Sequence, residues 1–222
     1  LAVNGYLGSK NVAIALNDSA ATVATNINRE TANTGVTATA RTNVGISFAG
    51  TGAFTLQLAS TNTTLETVSF SVSAATGSDG LSAAISAIND KSSKTGITAS
   101  LSDDQSYIML TNDAGNNILV SDSTVSNAAN VTVQKYYVDS SNATVTAGAS
   151  TSLGADNTAQ GSIVSGYITL DSVKSFAADV TTSSVLGADA SSSLKKVSDL
   201  DVTTFAKATE ALKTVDSALA FI

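Results

Sequence analysis

The 222-residue sequence contains no histidine and no cysteine. Zinc sites built from Cys and His, cysteine nucleophiles and Ser-His-Asp triads are therefore excluded. Disulfides are excluded as well, so packing alone has to hold the fold, and cysteine usage does not assign a compartment. These absences argue against the commonest kinds of enzyme.

Aromatic and charged residues are also scarce, at 5% and 13% of the chain, whereas hydrophobic residues make up 43%. Much of the hydrophobic fraction is Ala and Val, which predicts a thin core. Ser, Thr and Asn are abundant, so we expect a surface rich in neutral hydroxyl and amide groups. This composition favours β structure built from small residues over a large enzyme core.

The chain carries 18 acidic and 11 basic residues, a net charge of −7. An acidic surface disfavours nucleic acid, which we do not expect as a partner. No run reaches the ~18 apolar residues of a membrane span, so we expect no membrane partner either. Residues 1–16 lack the basic start and continuous apolar stretch of a signal peptide, so an export signal would have to lie elsewhere.

Residues 17–40 and 78–101 are two copies of one pattern, "NDSAATVATNINRETANTGVTATA" and "SDGLSAAISAINDKSSKTGITASL", at a constant offset. In each copy apolar residues follow the i, i+3, i+4, i+7 spacing of a helix face. These residues are Ala20, Val23, Ala24 and Ile27 in the first copy, and Leu81, Ala84, Ile85 and Ile88 in the second. Each copy therefore predicts a short helix.

Signals for the helix ends and the flanking strands surround both helices. Polar residues that can cap the helix N-termini are Asp18 and Ser19 in the first copy, and Ser78 and Asp79 in the second. Gly35 and Gly96 permit the positive φ with which a chain leaves a helix. Alternating segments before ("NVAIAL", "TVSFSVSA") and after ("GVTATA", "GITASL") each helix predict strands, which gives a β-α-β unit followed by hairpins.

The last residues form an apolar stripe with steps of three and four. Its members are Phe205, Ala208, Leu212, Val215, Leu219 and Ile222. This is a heptad seam, which keeps one narrow stripe of a helix against a partner helix. A stripe at this spacing is usually ordinary core, but a linker separates it from the β-rich body. We therefore predict a helix-packing interface with a partner.

Candidate chemical sites are few. Asp103-Asp104 and the "DLD" at 199–201 are tight acidic pairs, but metal binding or acid-base catalysis would need further ligands, and Asp is favoured in turns and caps. "NDAGNN" lacks the spacing of a calcium loop. Lys135-Tyr136-Tyr137 could stack a base or sugar ring, although a Tyr pair alternating across a strand is the simpler interpretation. We predict no catalytic, cofactor or metal site, and no enzyme.

Several segments resemble bacterial flagellins. "VDSALAFI" within "DLDVTTFAKATEALKTVDSALAFI" is similar to the start of the conserved carboxy-terminal helical region of that family. "TGVTATART" and "TGITASLSDDQSYIMLTND" resemble the repeat of flagellin outer domains, and "IVSGYITLDSVKSF" resembles the segment that leads back to the filament core. Two features of flagellins are missing, the amino-terminal coiled-coil region and the continuation of the carboxy-terminal helix, so we expect a fragment.

The resemblance implies an α+β fold, with a β-rich outer region of two β-α-β-hairpin repeats followed by a terminal coiled-coil-type helix. The expected spans are 1–47 for the first outer repeat unit, 48–165 for the second with a variable β-rich extension, 166–200 for the return strand and linker, and 201–222 for the start of the carboxy-terminal core helix.

The resemblance also implies a structural subunit of the extracellular flagellar filament, secreted and serving motility. Self-association into the filament is expected of the full-length protein. Surface glycans on Ser and Thr, antibodies and an innate immune receptor are further expected partners of such an antigen. The alternative is a filament-cap or adhesin-like surface binding module, because proteins of that kind use a similar repeat.

Overall fold

The computed structural model describes residues 1–139, 141, 143–180, 190–203 and 205–221. Strands account for 39% of the chain and helices for 22%, a β-rich composition compatible with the expected α+β class. The strands are β1 (Ala2–Asn4), β2 (Ser9–Asn11), β3 (Thr37–Phe48), β4 (Gly52–Ala59), β5 (Glu66–Val72), β6 (Thr98–Leu101), β7 (Ile108–Asn112), β8 (Ile118–Asp122), β9 (Val131–Val138), β10 (Thr144–Leu153), β11 (Gly161–Val164), β12 (Tyr167–Asp171), β13 (Ala177–Asp179) and β14 (Ala190–Ser191). The helices are α1 (Ala20–Arg29), α2 (Thr31–Thr34), α3 (Ser78–Asn89), α4 (Ser92–Thr95) and α5 (Phe205–Phe221), with a 3₁₀ turn at Val197–Asp199.

The chain divides into two compact units. Unit 1 comprises Leu1–Thr39, Val138–Ala143 and Ile168–Ile222, and unit 2 comprises Ala40–Tyr137 and Thr144–Tyr167. Each unit is thus assembled from segments that are distant in the sequence. The four contiguous spans predicted from the sequence describe repeat units along the chain rather than compact bodies. The division into units 1 and 2 does not test them, so they stay predictions.

Unit 1 contains a four-stranded antiparallel sheet in the order β14-β13-β1-β2. Val3 in β1 lies between Ala178 of β13 and Lys10 of β2. Its buried apolar side chains are small or branched: Val3, Val12, Ala20, Val23, Ala24, Ile27, Val36, Ala38, Ala178 and Ala211. The thin core predicted from the composition is therefore found in this unit.

Unit 2 is built on two sheets, with strand orders β11-β8-β4-β5 and β10-β9-β3-β7-β6. In the second sheet β3 pairs antiparallel with both β7 and β9. Buried residues of both sheets and of α3 form one cluster. Three aromatic rings lie within it, because Phe48 meets Phe54 and Phe70 edge-on at 4.8 and 5.7 Å between ring centroids. This core has larger side chains than that of unit 1.

The helix-to-strand turn is the same in both copies of the repeat. The side-chain amide of Asn28 donates to the Ala38 carbonyl at 2.8 Å and accepts from the Ala38 amide at 2.7 Å. Asn89 makes the same two hydrogen bonds to Ala99, at 2.9 and 2.7 Å. Gly35 and Gly96 both have positive φ, 73° and 68°, as the sequence predicted for these positions.

The helix starts differ between the copies. The Ser19 hydroxyl accepts from the Thr22 amide at 3.2 Å and so caps α1. In the second copy Gly77 occupies the cap position, and no side chain caps α3. The prediction of Ser78 or Asp79 as the cap of α3 is therefore wrong. The reason is that α3 begins one or two residues earlier than expected, which places Ser78 and Asp79 inside its first turn.

The predicted strand "NVAIAL" is also largely wrong. β2 ends at Asn11, where its pairing with β1 reaches Ala2. The chain then turns, because the Asp18 carboxylate accepts from the Ala15 amide at 2.7 Å. A local hydrogen bond therefore replaces strand pairing over this segment.

Candidate functional site

The predicted packing stripe lies on α5. Leu212 and Leu219 are 66% and 64% exposed, although both are large apolar side chains two turns apart on the helix. Ala208 and Val215 are half-buried. The side chain of Phe205, and Ile222 altogether, lie outside the described residues. Within the described part of the stripe, the two leucines thus form an exposed apolar seam.

Other residues of α5 hold the helix within unit 1. Ala211 is only 7% exposed. The Lys213 ammonium group donates to the Thr39 hydroxyl at 3.3 Å, and the Ser217 hydroxyl donates to the Asp171 carboxylate at 3.1 Å. Among the described side chains of α5, those that pack on unit 1 are therefore small or polar, whereas Leu212 and Leu219 are exposed.

Asp201 fixes the segment that leads into α5. One oxygen of its carboxylate accepts from the amide and the hydroxyl of Thr203 at 2.8 and 2.6 Å, and the other receives the Lys207 ammonium group at 2.7 Å. The hydrogen bond from Lys207 is the largest cause that lowers the pKa of this carboxyl, followed by those from Thr203. Asp201 is accordingly an ionised group that stabilises the local structure. This is the role of a turn or cap residue, rather than that of a metal ligand or an acid-base catalyst.

A depression of about 370 Å³ lies beside this segment in unit 1. Its lining includes Leu194, Lys195, Lys196, Leu200 and Asp201. Within this lining Lys207 and Asp201 form an ion pair at 2.7 Å.

Asp104 stabilises a turn between β6 and β7. Its carboxylate accepts from the hydroxyls of Ser102 and Ser106, both at 2.7 Å, and from the Ser106 amide at 3.1 Å. These hydrogen bonds, that of Ser102 first, lower the pKa of Asp104. All of these hydrogen bonds lie within the turn, in agreement with the interpretation of Asp103-Asp104 as turn residues.

The segment "NDAGNN" is a second turn. The Asn112 side chain accepts from the amides of Ala114 and Asn116 at 3.1 and 3.0 Å, and it donates to the Gly96 carbonyl at 3.0 Å. Gly115 has a positive φ of 77°. Among the described residues, no group of three or more Asp and Glu side chains is placed to hold a metal ion.

Lys135, Tyr136 and Tyr137 project from β9 into packed surroundings. The Lys135 ammonium group donates to the Ser165 hydroxyl and the Gly166 carbonyl, both at 3.2 Å, and burial lowers the pKa of this lysine. Tyr137 meets another ring, that of Tyr167, edge-on at 6.5 Å. Stacking of a base or sugar would require these side chains to be open to a ligand, whereas Lys135 and Tyr137 already contact other residues of the protein.

The third member, Tyr136, stacks on Tyr107, with ring centroids 4.8 Å apart. Sequence reasoning missed this pair, because nothing in the local pattern connects residues on separate strands. The feature of the sequence that could have indicated this pair is Gly45, which lies within strand β3 beneath the two rings. Glycine inside a strand often marks a close approach of other groups.

None of the helices in the described part of the chain is long and apolar enough to cross a membrane. Comparison with known families gives two matches, side by side, to the flagellin hook IN motif, at residues 1–52 and 53–114. Each match includes one copy of the repeated helix-to-strand turn. No curated protein matches the chain significantly.

Proposed function

The chain belongs to the flagellin family, and from this membership we propose that it supplies the outward-facing, variable part of a flagellar filament subunit. Flagellins are structural proteins rather than enzymes. They assemble into the extracellular filament that serves motility. We further propose that the chain is a fragment of such a subunit.

The exposed seam of α5 is the observation that carries the second part of the proposal. Leu212 and Leu219 are each about two-thirds exposed. Burying a large aliphatic side chain contributes roughly 1.5–3 kcal/mol, so the seam gains most when a second apolar helix covers it. The occupant proposed is a helix of the filament core, packed in coiled-coil fashion along Ala208, Leu212, Val215 and Leu219.

Outward exposure is supported by the character of β10. Most of this strand is exposed, and it carries the hydroxyl residues Thr144, Thr146, Ser150, Thr151 and Ser152. Such a surface offers Ser and Thr oxygens for glycans and uncharged epitopes for antibodies. The receptor of innate immunity, by the resemblance to flagellins, would act on the inner helical region, so we expect only weak activation by this chain.

A binding module of a filament cap or adhesin is the alternative function. It is kept as the alternative because filament-cap and junction proteins use a similar repeat, whereas membership of the flagellin family supports the filament subunit. Saturable binding of mucin-type glycans to the purified chain would support the alternative over the filament subunit.

The seam is tested in the natural flagellin that contains this sequence. Leu212→Asn combined with Leu219→Asn should abolish or strongly slow polymerisation of purified monomers, measured by sedimentation and electron microscopy. Asp216→Asn is the matched control, since this exposed residue lies on α5 between the two leucines. Filaments that form at the normal rate from the double variant would contradict the proposed seam.

The same proposal makes a statement about the chain by itself. Without a core helix to cover Leu212 and Leu219, the purified 222-residue chain should not elongate into filaments. Light scattering after seeding with filament fragments measures this directly, and growth of filaments from the chain would refute the assignment of the seam.

A further inference from the structure

Two tyrosines lie stacked over β3, one on strand β9 and one just before β7. The rings of Tyr107 and Tyr136 are 4.8 Å apart between centroids, and their planes differ by only 12°. Tyr136 belongs to β9, where it lies opposite Asn43 of β3. Tyr107 directly precedes β7, which pairs with the other edge of β3. The two rings therefore lean towards each other across the same strand.

Gly45 makes this arrangement possible. A Cβ atom at position 45 would lie 2.5 Å from Cε2 of Tyr136 and 3.0 Å from Cδ2 of Tyr107. Real Cβ atoms essentially never show a contact as short as 2.5 Å, so a larger residue at position 45 would displace the ring of Tyr136. The stack is thus a built feature of the sheet rather than a chance contact of two flexible side chains.

Both rings are half-buried. Burial first, and the neighbouring Tyr136 second, raise the pKa of Tyr107. The nearly parallel planes and the short separation of the centroids bring the two rings face to face. Each ring has two carbons next to its hydroxyl, the Cε atoms. These are the carbons through which phenoxyl radicals couple.

We propose that Tyr107 and Tyr136 form an oxidative cross-linking site, at which a peroxide-driven one-electron oxidant joins the two rings into dityrosine. Each phenol loses one electron and its hydroxyl proton, and the two phenoxyl radicals form a bond between Cε atoms. The hydrogen on each coupled carbon then moves to the oxygen of its ring, which restores both phenols. Hydrogen peroxide takes up the two electrons and two protons and is reduced to two molecules of water.

The other tyrosines provide a comparison within the same molecule. Tyr137 and Tyr167 are 6.5 Å apart between ring centroids with planes at 66°, so the edge of one ring faces the other. Tyr6 lies in unit 1 beneath the Lys174 ammonium group, at 5.2 Å. Coupling is therefore expected at Tyr107 and Tyr136 in preference to these three.

A bond at this site would change the stability of unit 2. It would link the start of β7 to β9 and close a loop of the chain that also contains β8. Cross-links of this kind stabilise a fold mainly by restricting the unfolded chain. The oxidised protein is accordingly expected to have a higher Tm than the untreated protein.

The experiment exposes the purified 222-residue chain, at low concentration, to a peroxidase with hydrogen peroxide, and in parallel to a photochemical one-electron oxidant that can reach half-buried rings. The expected product is a monomer lighter by two hydrogen atoms, with dityrosine fluorescence and one cross-linked peptide pair containing Tyr107 and Tyr136. Tyr107→Phe should lose the product, whereas Tyr137→Phe should retain it.

Met109, the single methionine of the chain, lies opposite Gly45 on β7 and reports general oxidation by a gain of one oxygen. Oxidation of Met109 without a cross-link would overturn the proposal. A link mapped to Tyr137 and Tyr167, or covalent dimers in place of the monomeric product, would overturn it as well.

Discussion

Residues 17–40 and 78–101 build the same turn from helix to strand, and they differ on either side of it. The first helix is capped by Ser19, whereas the second begins after Gly77 with no side-chain cap. After the turn, the first copy continues as the twelve-residue β3. The second copy makes the four-residue β6, turns at Asp104, and resumes as β7.

The two copies also face different cores. In unit 1, α1 buries Ala20, Val23, Ala24 and Ile27 in a core of small side chains. In unit 2, α3 contributes to a cluster that contains three phenylalanines. The shared part is therefore the one that local hydrogen bonds define, and the parts that differ are those that depend on what lies beyond the repeat.

The largest contrast is expected from truncating equivalent core residues. Ile27→Ala and Ile88→Ala each remove a fully buried side chain and should cost about 2–5 kcal/mol of unfolding free energy. The cost should be higher at Ile88, because a core of large side chains collapses less readily around a cavity. Urea denaturation followed by circular dichroism and by tyrosine fluorescence measures both.

Ser86→Ala, on the exposed side of α3, is the control for this pair and should change stability little. Equal costs at Ile27 and Ile88 would remove the distinction between the two cores.

The Asn side chains should instead give matched effects. Asn28→Ala and Asn89→Ala each delete two hydrogen bonds to the strand backbone, and the loss should cost about 1–3 kcal/mol in either copy. Hydrogen exchange at the amides of Ala38 and Ala99 reports the local loss. The two turns would not be equivalent if one substitution accelerated exchange at the alanine of its own copy and the other substitution left exchange in its copy unchanged.

Removing the serine at the start of each helix should lower stability in the first copy only, and by less than the preceding substitutions. Ser19→Ala removes the cap of α1 and should cost about 1 kcal/mol. Ser78→Ala should have almost no effect, because Ser78 lies in the first turn of α3 rather than at its cap. Thermal denaturation of both variants beside the unmodified chain makes the comparison, and an equal loss at Ser78 would contradict it.

The smallest effect concerns the turn that only the second copy has. Hydrogen bonds from Ser102 and Ser106 lower the pKa of Asp104 in the folded protein. A lowered pKa means that this contribution is present above the pKa of the unfolded chain and is lost as pH falls through the folded value. The protection factor of the Tyr107 amide, which is the intrinsic exchange rate at a given pH divided by the measured rate, should therefore fall on acidification. Asp104→Asn should remove the part of that fall due to this carboxyl.

Local patterns predicted a good part of this molecule. The spacing of Val23, Ala24 and Ile27 predicted the buried face of α1, and the glycines at 35 and 96 predicted where each helix turns into its strand. The acidic pair at 103–104 was correctly interpreted as a turn. Each of these features depends on residues within a few positions of one another, so the sequence pattern contains the needed information.

Partner choice could not be predicted in this way. Alternation along β3 indicates which side chains share a face, but not that β7 and β9 lie on its two edges. The stack of Tyr107 on Tyr136 depends on those pairings and on Gly45 between them.

The sequence by itself determined the family, the two helix-to-strand turns and the apolar stripe of α5, because spacing and backbone preference act over short distances. Only the tertiary structure decided which strands pair, how segments far apart in the chain join into units 1 and 2, and which side of α5 is packed. The physical reason is that strand pairing and side-chain burial are gained between distant residues. Many partners satisfy the same local pattern, and the combined packing of the whole unit selects one of them.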